Sequence, residues 1–363
     1  MQTSRRAFIH GISKGIACVS ILPMATSRLV AQETKKLGFA LVGLGNLSTN
    51  QIAPALQKTK LCRLAAIVTG TPAKENIWAE KYKISPRNIY NYQNFDQIAG
   101  NPEIDVVYVV LPNAMHGEFT IRAAKAGKHV LCEKPMEVSA EKCLQMIDAC
   151  KEAKAQLAIG YRCQFAPHHL EAIRLAREKV FGNVKLIEAS FGFRIGDPNQ
   201  WRLKHSLAGG GALMDVGIYA LQGARYVSGE EPIEISATET KTDPVKFKEV
   251  DESISWSMRF PSGVMANCAT TYLVSGMNRL WAGAESGWFQ LDPAYSYGGI
   301  KGRTSKAELE LPQVDHFAAE MDDFAECILS GRRSKVSGEE GLRDVKIMSA
   351  IYQSIREGKV VKL

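Results

Sequence analysis

The sequence predicts an α/β protein: a doubly wound parallel sheet in the first half, then an α+β region with an open, mostly antiparallel sheet. The first half contains short apolar runs that alternate with helical patterns, as strands buried on both faces do. One of these runs, 37–42, leads directly into a glycine-rich turn. In the second half, apolar and polar residues alternate over 254–260, which is typical of a sheet with one covered face.

Residues 1–31 have the pattern of a twin-arginine signal peptide. Arg5 and Arg6 are followed by an aromatic residue and by a moderately apolar stretch that ends near Ala31. We therefore expect cleavage near Ala31 and export of the folded protein to the periplasm by the twin-arginine machinery. Because that route often serves proteins loaded with a cofactor, the signal also predicts one. The alternative is a disordered tail with a chance arginine pair.

The turn after the first predicted strand has the pattern of a dinucleotide-binding loop. Gly43 allows a tight turn, and Gly45 lets the backbone approach a pyrophosphate at the N-terminus of the following helix. Asn46 and Leu47 continue the loop, and Ser48 stands where such fingerprints usually carry a third glycine.

The strand–helix alternation around this loop predicts a Rossmann domain that binds NADP(H) and extends over 32–159. Continuous apolar strands separated by helical segments are typical of a parallel sheet covered on both faces. After the first strand, further strands are predicted at 63–68, 105–111 and 129–132.

The residues after the second strand distinguish between the two nicotinamide cofactors. NAD enzymes of this fold usually carry an acid there, which binds the ribose 2′-hydroxyl. Here Thr69 and Gly70 end the strand and Lys74 follows, without an acid at the strand end. A hydroxyl and an ammonium group suit a 2′-phosphate, which a carboxylate would repel. We therefore expect NADP(H); the alternative is that Lys74 is an ordinary solvated helix residue.

Two short segments carry the candidate catalytic groups. Lys134 follows strand 129–132 at its carboxyl end, where open α/β sheets bind ligands. Asp215 and Tyr219 follow the triple glycine 209–211 and lie four residues apart, on one helix face. Hydride removal from a carbinol carbon also requires a base, and a tyrosine can serve if a cation such as Lys134 stabilises its phenolate. Asp215 can then orient a sugar; a buried structural hydrogen bond is the alternative for the Asp–Tyr pair.

On these features the chain is similar to the Gfo/Idh/MocA family of oxidoreductases. Besides the glycine turn, the matching motifs are Leu111-Pro112-Asn113 followed by His116, and Glu133-Lys134-Pro135. Within the family the chain most resembles the glucose–fructose oxidoreductase branch, since Tyr219 stands where inositol dehydrogenases carry histidine. Further matches to this branch lie at 160–163, 200–203, 208–211 and 229–232.

The resemblance covers the chain from Leu37 onward and implies roles for individual residues. It implies that the catalytic residues are Lys134, Tyr219 and Asp215. It implies a substrate site with Arg162, Trp201, Arg202, Asp215 and Tyr219. It implies a cofactor site with Gly43, Gly45, Asn46, Leu47, Thr69, Gly70, Lys74, Leu111, Pro112, Asn113, His116, Glu133 and Lys134.

Residues 160–363 fit the α+β domain of this family, which binds substrate and mediates oligomerisation. The last two helices, predicted over 315–329 and 338–357, are expected to return to the first domain. Open sheets of this kind often form dimers in the family, so we expect a homo-oligomer, a dimer or tetramer, through the C-terminal sheet. Strands are predicted at 185–193, 233–240, 253–260, 264–271 and 280–285.

The resulting functional prediction is a periplasmic NADP(H)-dependent sugar oxidoreductase. It oxidises an aldose to its lactone and passes the hydride to a second sugar or carbonyl acceptor, because the periplasm holds no NADP(H) pool. The alternatives are a conventional NADP-dependent sugar or polyol dehydrogenase, an NAD-dependent glycosidase of the same family, and a non-catalytic nucleotide-binding sensor.

Composition excludes other classes of function. Residues 1–31 hold four of the 45 basic residues and none of the 38 acidic ones, so the remainder is nearly neutral and no nucleic-acid partner is expected. The eight cysteines are scattered without a C-x-x-C pair, so we expect mostly buried free thiols. The pair His168-His169 lacks a third ligand nearby, and no metal is expected.

Overall fold

A computed structural model describes residues 36–363, so the predicted signal peptide lies outside the described residues. The first half forms a sheet of six strands, all parallel, in the order β3-β2-β1-β4-β5-β6. The predicted doubly wound sheet is therefore confirmed. Its strands are β1 (Leu37–Val42), β2 (Cys62–Val68), β3 (Ile89–Tyr90), β4 (Val106–Val109), β5 (His129–Glu133) and β6 (Leu157–Gly160).

Helices cover this sheet, and its strand order reverses between β1 and β4. Ligands bind in the crevice that such a reversal opens at the carboxyl ends of the strands. The helices of this half are α1 (Ala53–Leu56), α2 (Pro72–Tyr82), α3 (His116–Lys125) and α4 (Ala140–Glu152).

One strand is clearly shorter than predicted, whereas the lengths of the other predicted strands agree with the structure to within one residue. We predicted a strand over 105–111, but β4 contains only four residues. Val110 still donates a backbone hydrogen bond to Val42, 2.8 Å away, after which the chain leaves the sheet at Pro112, which has no N–H to donate. The residues beyond β4 are thereby released to line the crevice.

The second half forms a separate sheet of eight strands in the order β13-β12-β11-β7-β10-β9-β8-β14. Only the β7–β10 pair is parallel, which confirms an open, mostly antiparallel sheet. Its strands are β7 (Val184–Gly192), β8 (Glu234–Thr240), β9 (Ser253–Arg259), β10 (Met265–Thr271), β11 (Asn278–Ala284), β12 (Gly287–Leu291), β13 (Gly302–Thr304) and β14 (Val361–Lys362).

Five helices accompany the second sheet, and the last two join it to the first. α8 packs on α1 and β2, whereas α9 packs on both β8 and α4. Both helices thus return to the first domain as predicted, and residues 36–363 form one compact unit. The predicted boundary between 159 and 160 falls at the last residue of β6. These helices are α5 (Pro167–Arg177), α6 (His205–Ala208), α7 (Ile218–Ser228), α8 (His316–Ser330) and α9 (Gly338–Glu357).

The seven cysteines of residues 36–363 are all buried free thiols, as predicted. Burial raises the pKa of the Cys143 and Cys150 thiols to about 12, so both remain protonated at neutral pH. Cysteine chemistry is therefore not part of the candidate site.

Neither a membrane span nor a metal centre is found in the described part of the chain. None of its helices is both long and apolar enough to cross a bilayer. Its His, Cys, Asp and Glu side chains form no group of three or more that could hold a metal ion. His169 instead places Nε2 2.8 Å from the carbonyl oxygen of Ala294.

Candidate active site

A cavity of about 490 Å³ lies at the carboxyl ends of the first sheet, where the strand order reverses. The second half of the chain closes its other side, and the catalytic candidates lie between the two. The predicted residues that line it are Gly43, Gly45, Asn46, Leu47, Thr69, Lys74, Leu111, Pro112, Asn113, Glu133, Lys134, Trp201, Arg202, Asp215 and Tyr219. The sequence did not identify Leu44, Thr71, Tyr92, Val110, Gln200, Tyr297 and Phe317, which also line it.

The glycine turn has the shape that a dinucleotide requires. Gly43 has a φ of +89°, and a Cβ there would collide with the carbonyl oxygen of Val110. A Cβ on Gly45 would meet no protein atom within 4 Å, so the space beside it is open for a ligand. Ser48, in the place of the third glycine, is buried and donates a hydrogen bond to the Gly43 carbonyl at 2.5 Å. The hydroxyl thus closes the turn, and the cradle fits a pyrophosphate.

The far end of the cavity has hydroxyl groups and a cation near the end of β2. Thr69, Thr71 and Lys74 line it, and Lys74 Nζ donates to the carbonyl of Leu44 at 2.7 Å. Gly70 was expected to line the cavity, but it does not. It faces the ring of Tyr92 instead, since a Cβ on Gly70 would lie 2.7 Å from Cε2 of that ring. Tyr92 provides the cavity wall at that point.

His116 also lies outside the cavity wall, contrary to expectation. It is fully buried, and its two ring nitrogens lie 2.9 Å from the carbonyl oxygens of Leu111 and Pro135. The imidazole therefore links the loop after β4 to the loop after β5. Asn113, in the first of these loops, donates to the carbonyl of Ala208 at 2.8 Å and links it to the triple glycine.

The triple glycine is required by close packing just before the turn that leads into α7. Gly209 has a φ of +73°, and a Cβ on Gly211 would collide with the backbone of Asp251. The Asp251 carboxylate accepts backbone hydrogen bonds from Gly211 at 2.5 Å and Leu213 at 2.8 Å. It also accepts one from the Tyr352 hydroxyl of α9 at 2.6 Å. Asp251 thereby anchors the π-helical turn Leu213–Gly217 that leads into α7.

Lys134, Asp215 and Tyr219 come together at the centre of the cavity, as the sequence predicted. Lys134 Nζ donates to the backbone carbonyl of Asp215 at 2.6 Å and lies 3.6 Å from its Oδ1. The same ammonium lies 4.8 Å from the centroid of the Tyr219 ring. It therefore sits over the ring face, whereas the expectation was a cation at the phenol oxygen.

Asp215 is held as a carboxylate. Its Oδ2 accepts hydrogen bonds from Arg202 Nε at 2.9 Å and from the Tyr272 hydroxyl at 3.0 Å. Burial acts to raise the pKa of Asp215, but the charges of Arg202 and Lys134 outweigh burial and hold the pKa below its usual value. Tyr272 follows β10 without any motif, so the sequence did not indicate its contact with the site.

Tyr219 is 7% exposed, and burial raises the pKa of its phenol well above the usual value. The hydroxyl therefore keeps its proton at neutral pH. The group that acts against burial at the oxygen is Arg162, whose Nε donates to it at 3.2 Å. Arg162 is 1% exposed and does not line the cavity, so the predicted contact between this side chain and substrate is absent from the geometry.

Aromatic side chains form part of the cavity wall around the candidate catalytic groups. Trp201 was predicted, and its ring packs against the Arg202 guanidinium at 4.6 Å. Tyr297 and Phe317 were not predicted as site residues, and their ring centroids lie 5.7 Å apart. Tyr297 is 53% exposed and follows a stretch without a recognisable motif, so only its aromatic character could have suggested it.

Comparison with protein families shows matches over most of the described chain. Residues 37–161 match an oxidoreductase family with an NAD-binding Rossmann fold. Residues 169–290 match the GFO/IDH/MocA C-terminal domain, and residues 293–363 match the C-terminal alpha/beta domain of the oxidoreductase family.

Individual proteins similar to this chain include sugar-converting enzymes. The crystal structure of an aldose–aldose oxidoreductase from Caulobacter crescentus has 46% identity and a TM-score of 0.88, over 91% of this chain and all of that one. A D-xylose 1-dehydrogenase [NADP(+)] from Haloarcula marismortui is 29% identical over 90% of this chain and 92% of its own. A 3-ketoreductase from Actinomadura kijaniata shares the fold, with 22% identity and a TM-score of 0.79 over 88% of this chain and 98% of that one.

Proposed function

The chain belongs to the Gfo/Idh/MocA family of oxidoreductases, and from this premise we propose that it is an NADP(H)-dependent sugar oxidoreductase. It oxidises one aldose to its lactone and reduces a second sugar or carbonyl compound at the same site. The observation that carries this proposal is the cluster of Lys134, Asp215 and Tyr219 beside a cavity that begins at the glycine turn. The similarity to an aldose–aldose oxidoreductase supports the choice of sugars as substrates.

The residues present suit NADP(H). Gly43 and Gly45 offer the pyrophosphate cradle, while Thr69, Thr71 and Lys74 offer hydroxyls and a cation near the end of β2, where a 2′-phosphate needs them. Bound NADP⁺ supplies the acceptor for the hydride that leaves the carbinol carbon.

The chain's own groups handle the proton and orient the sugar. Asp215 Oδ2 is already occupied by two donors, so Oδ1 remains to accept a hydrogen bond from a sugar hydroxyl. In its phenolate form, Tyr219 Oη takes the hydroxyl proton of the first sugar, and as the phenol it then returns this proton to the carbonyl oxygen of the second. The same atom must serve in both half-reactions, because the second is the reverse of the first in its chemistry.

We expect the cofactor to remain bound between the two half-reactions. Purified protein should carry NADP(H) in near-stoichiometric amount through gel filtration, and it should oxidise an aldose continuously only when an acceptor is supplied. Initial rates at varied aldose and acceptor should follow ping-pong kinetics. Screening pairs of aldoses and ketoses, with released lactone and reduced acceptor as the readout, identifies the substrates.

One outcome would contradict the regeneration of the cofactor at its own site. If the protein emerges free of nucleotide and steadily reduces added NADP⁺ with an aldose alone, it is a conventional sugar dehydrogenase, and regeneration in place is wrong.

Regeneration of the bound cofactor at the active site agrees with export of the protein to the periplasm. We propose that the protein reaches the periplasm by the twin-arginine pathway, on the pattern of Arg5 and Arg6. In a fractionated bacterial host, the full chain should appear in the periplasm, whereas the double variant Arg5→Lys, Arg6→Lys should stay in the cytoplasm. The variant keeps the positive charge, so it tests the arginine pair itself. Equal distribution of both proteins contradicts the proposal.

We also propose a homo-oligomer that forms through the outer face of the second sheet. This face carries short polar side chains, including Ser236, Thr238 and Ser255, which line a groove of about 500 Å³. The helices α7 and α9 pack on the opposite face, so this one is open to a second copy.

A further inference from the structure

Arg162 is an unusual residue, since its charged side chain is 1% exposed yet belongs to no ion pair within residues 36–363. Its three donor nitrogens have defined partners. Nε donates to the Tyr219 hydroxyl at 3.2 Å, Nη1 to the carbonyl of Ser296 at 3.2 Å, and Nη2 to the carbonyl of Tyr295 at 2.5 Å. Nη1 also lies 3.5 Å from Nδ1 of His316. Burying a cation without a counter-ion costs free energy, and a neighbouring group that becomes negatively charged would offset this cost.

The guanidinium also lies between two aromatic rings. Its central carbon is 4.9 Å from the ring centroid of Tyr219 and 4.8 Å from that of Tyr297. Arg162 therefore connects the proton-transfer tyrosine to the segment that carries Tyr297 on the cavity wall.

Lys134 has a different set of contacts. Its ammonium donates to the carbonyl of Asp215 and lies over the Tyr219 ring, with no hydrogen bond to the phenol oxygen. Because the Arg162 N–H donates into a lone pair of Tyr219 Oη, the hydroxyl proton must point elsewhere, away from the guanidinium. A full charge with a direct hydrogen bond in a buried setting stabilises the anion more than the neutral phenol.

We propose that Arg162, rather than Lys134, is the cation that stabilises the Tyr219 phenolate, and that it acts as a positioning residue for Tyr219. This inference rests on the proposed function of Tyr219 in proton transfer. It replaces the expected substrate contact of Arg162, and it leaves Lys134 to hold Asp215.

Other ionisable groups surround the pair and must stay constant in any test. Groups on several elements influence the Tyr219 phenol or the Arg162 guanidinium. They are Cys163, Glu133, Lys134, Tyr297, His169, His316 and Glu320. None of them donates a hydrogen bond to the Tyr219 oxygen, and Arg162 is therefore the group to change.

The test is the pH dependence of kcat for aldose oxidation in Arg162→Gln, Arg162→Lys and the matched surface control Arg174→Gln on α5. Removing the charge raises the pKa of the Tyr219 phenol, so the limb on which kcat rises with pH should move upward by about one pH unit or more in Arg162→Gln. At a fixed pH on that limb, kcat then falls by about tenfold per unit of displacement. Arg162→Lys keeps the positive charge but lacks the planar guanidinium with its several N–H donors. In this variant the upward shift of the limb should be smaller. Arg174→Gln should leave the limb unchanged.

A double variant separates this role from general damage to the fold. Arg162→Gln should cost little further kcat when it is added to Tyr219→Phe, because the interaction is already lost. If both Arg162 variants have a lower kcat but the same pH dependence of kcat as the wild type, the inference is overturned. If Arg162→Gln does not fold, Arg162→Lys decides: an upward displacement supports the inference, and an unmoved limb overturns it.

The inference and the proposed function can fail separately. If the wild-type protein oxidises no aldose, the proposed function fails. Phenolate absorbance, taken as the difference between each protein and its Tyr219→Phe counterpart, still reports the ionisation of Tyr219. At a given alkaline pH at which all proteins remain folded, Arg162→Gln should show less phenolate than wild type, and an equal signal overturns the inference.

Discussion

Replacing Tyr219 with phenylalanine should lower kcat for sugar oxidation by roughly 10²–10⁴-fold, the usual contribution of a positioned acid–base group. The substitution removes one hydroxyl and keeps the ring, which packs 5.5 Å from Phe191 and 5.8 Å from Tyr295 between centroids. The fold and the glycine turn should therefore be unaffected, and the protein should still bind NADP(H).

The measurement is steady-state turnover with an aldose and an acceptor, together with the NADP(H) content of the purified variant. Tyr82→Phe removes the same group at the end of α2 and serves as the matched control, with turnover unchanged. Near-normal turnover in Tyr219→Phe would exclude this residue from proton transfer and leave the catalytic base unassigned.

Replacing Gly45 with alanine should weaken NADP(H) binding by about tenfold or more, which corresponds to about 1.4 kcal/mol of binding free energy. A Cβ on Gly45 meets no protein atom within 4 Å, so the melting temperature of the nucleotide-free protein should not change. The methyl group instead occupies space into which the pyrophosphate must come. Binding by titration and Tm of the free protein distinguish the two effects.

Substitutions at two other glycines serve as controls for this experiment. Gly100→Ala also adds a Cβ in open space but lies away from the cavity, so neither Tm nor binding should change. Gly43→Ala should lower both, because it adds a Cβ at a φ of +89° and against the carbonyl oxygen of Val110. Unchanged NADP(H) affinity in Gly45→Ala would mean that the cofactor does not approach this turn.

Several features of the fold could be predicted from local sequence because local physics decides them. Strands buried on both faces must be continuously apolar, and this alone located β1, β2 and β5. Strands β3, β6, β12, β13 and β14 were not predicted. They have two to five residues, and cross-strand pairing with distant partners rather than a pattern of their own decides their structure.

The candidate catalytic residues could be named from the sequence, since strand ends and helix spacing place Lys134, Asp215 and Tyr219. Which groups form hydrogen bonds with them could not be predicted. Arg162 meets carbonyls 133 and 134 residues away, and Tyr272 meets Asp215 across 57 residues.

The sequence by itself therefore determined the nucleotide turn, most of the strands in the two sheets and the candidate catalytic residues. Only the tertiary structure decided which cation lies at the Tyr219 oxygen, because that depends on how β6, α7 and the segment after β12 converge. A strand-end lysine and a buried arginine carry the same charge in the sequence. Hydrogen-bond geometry distinguishes them: Arg162 donates to the phenol oxygen, and Lys134 donates to the backbone of Asp215.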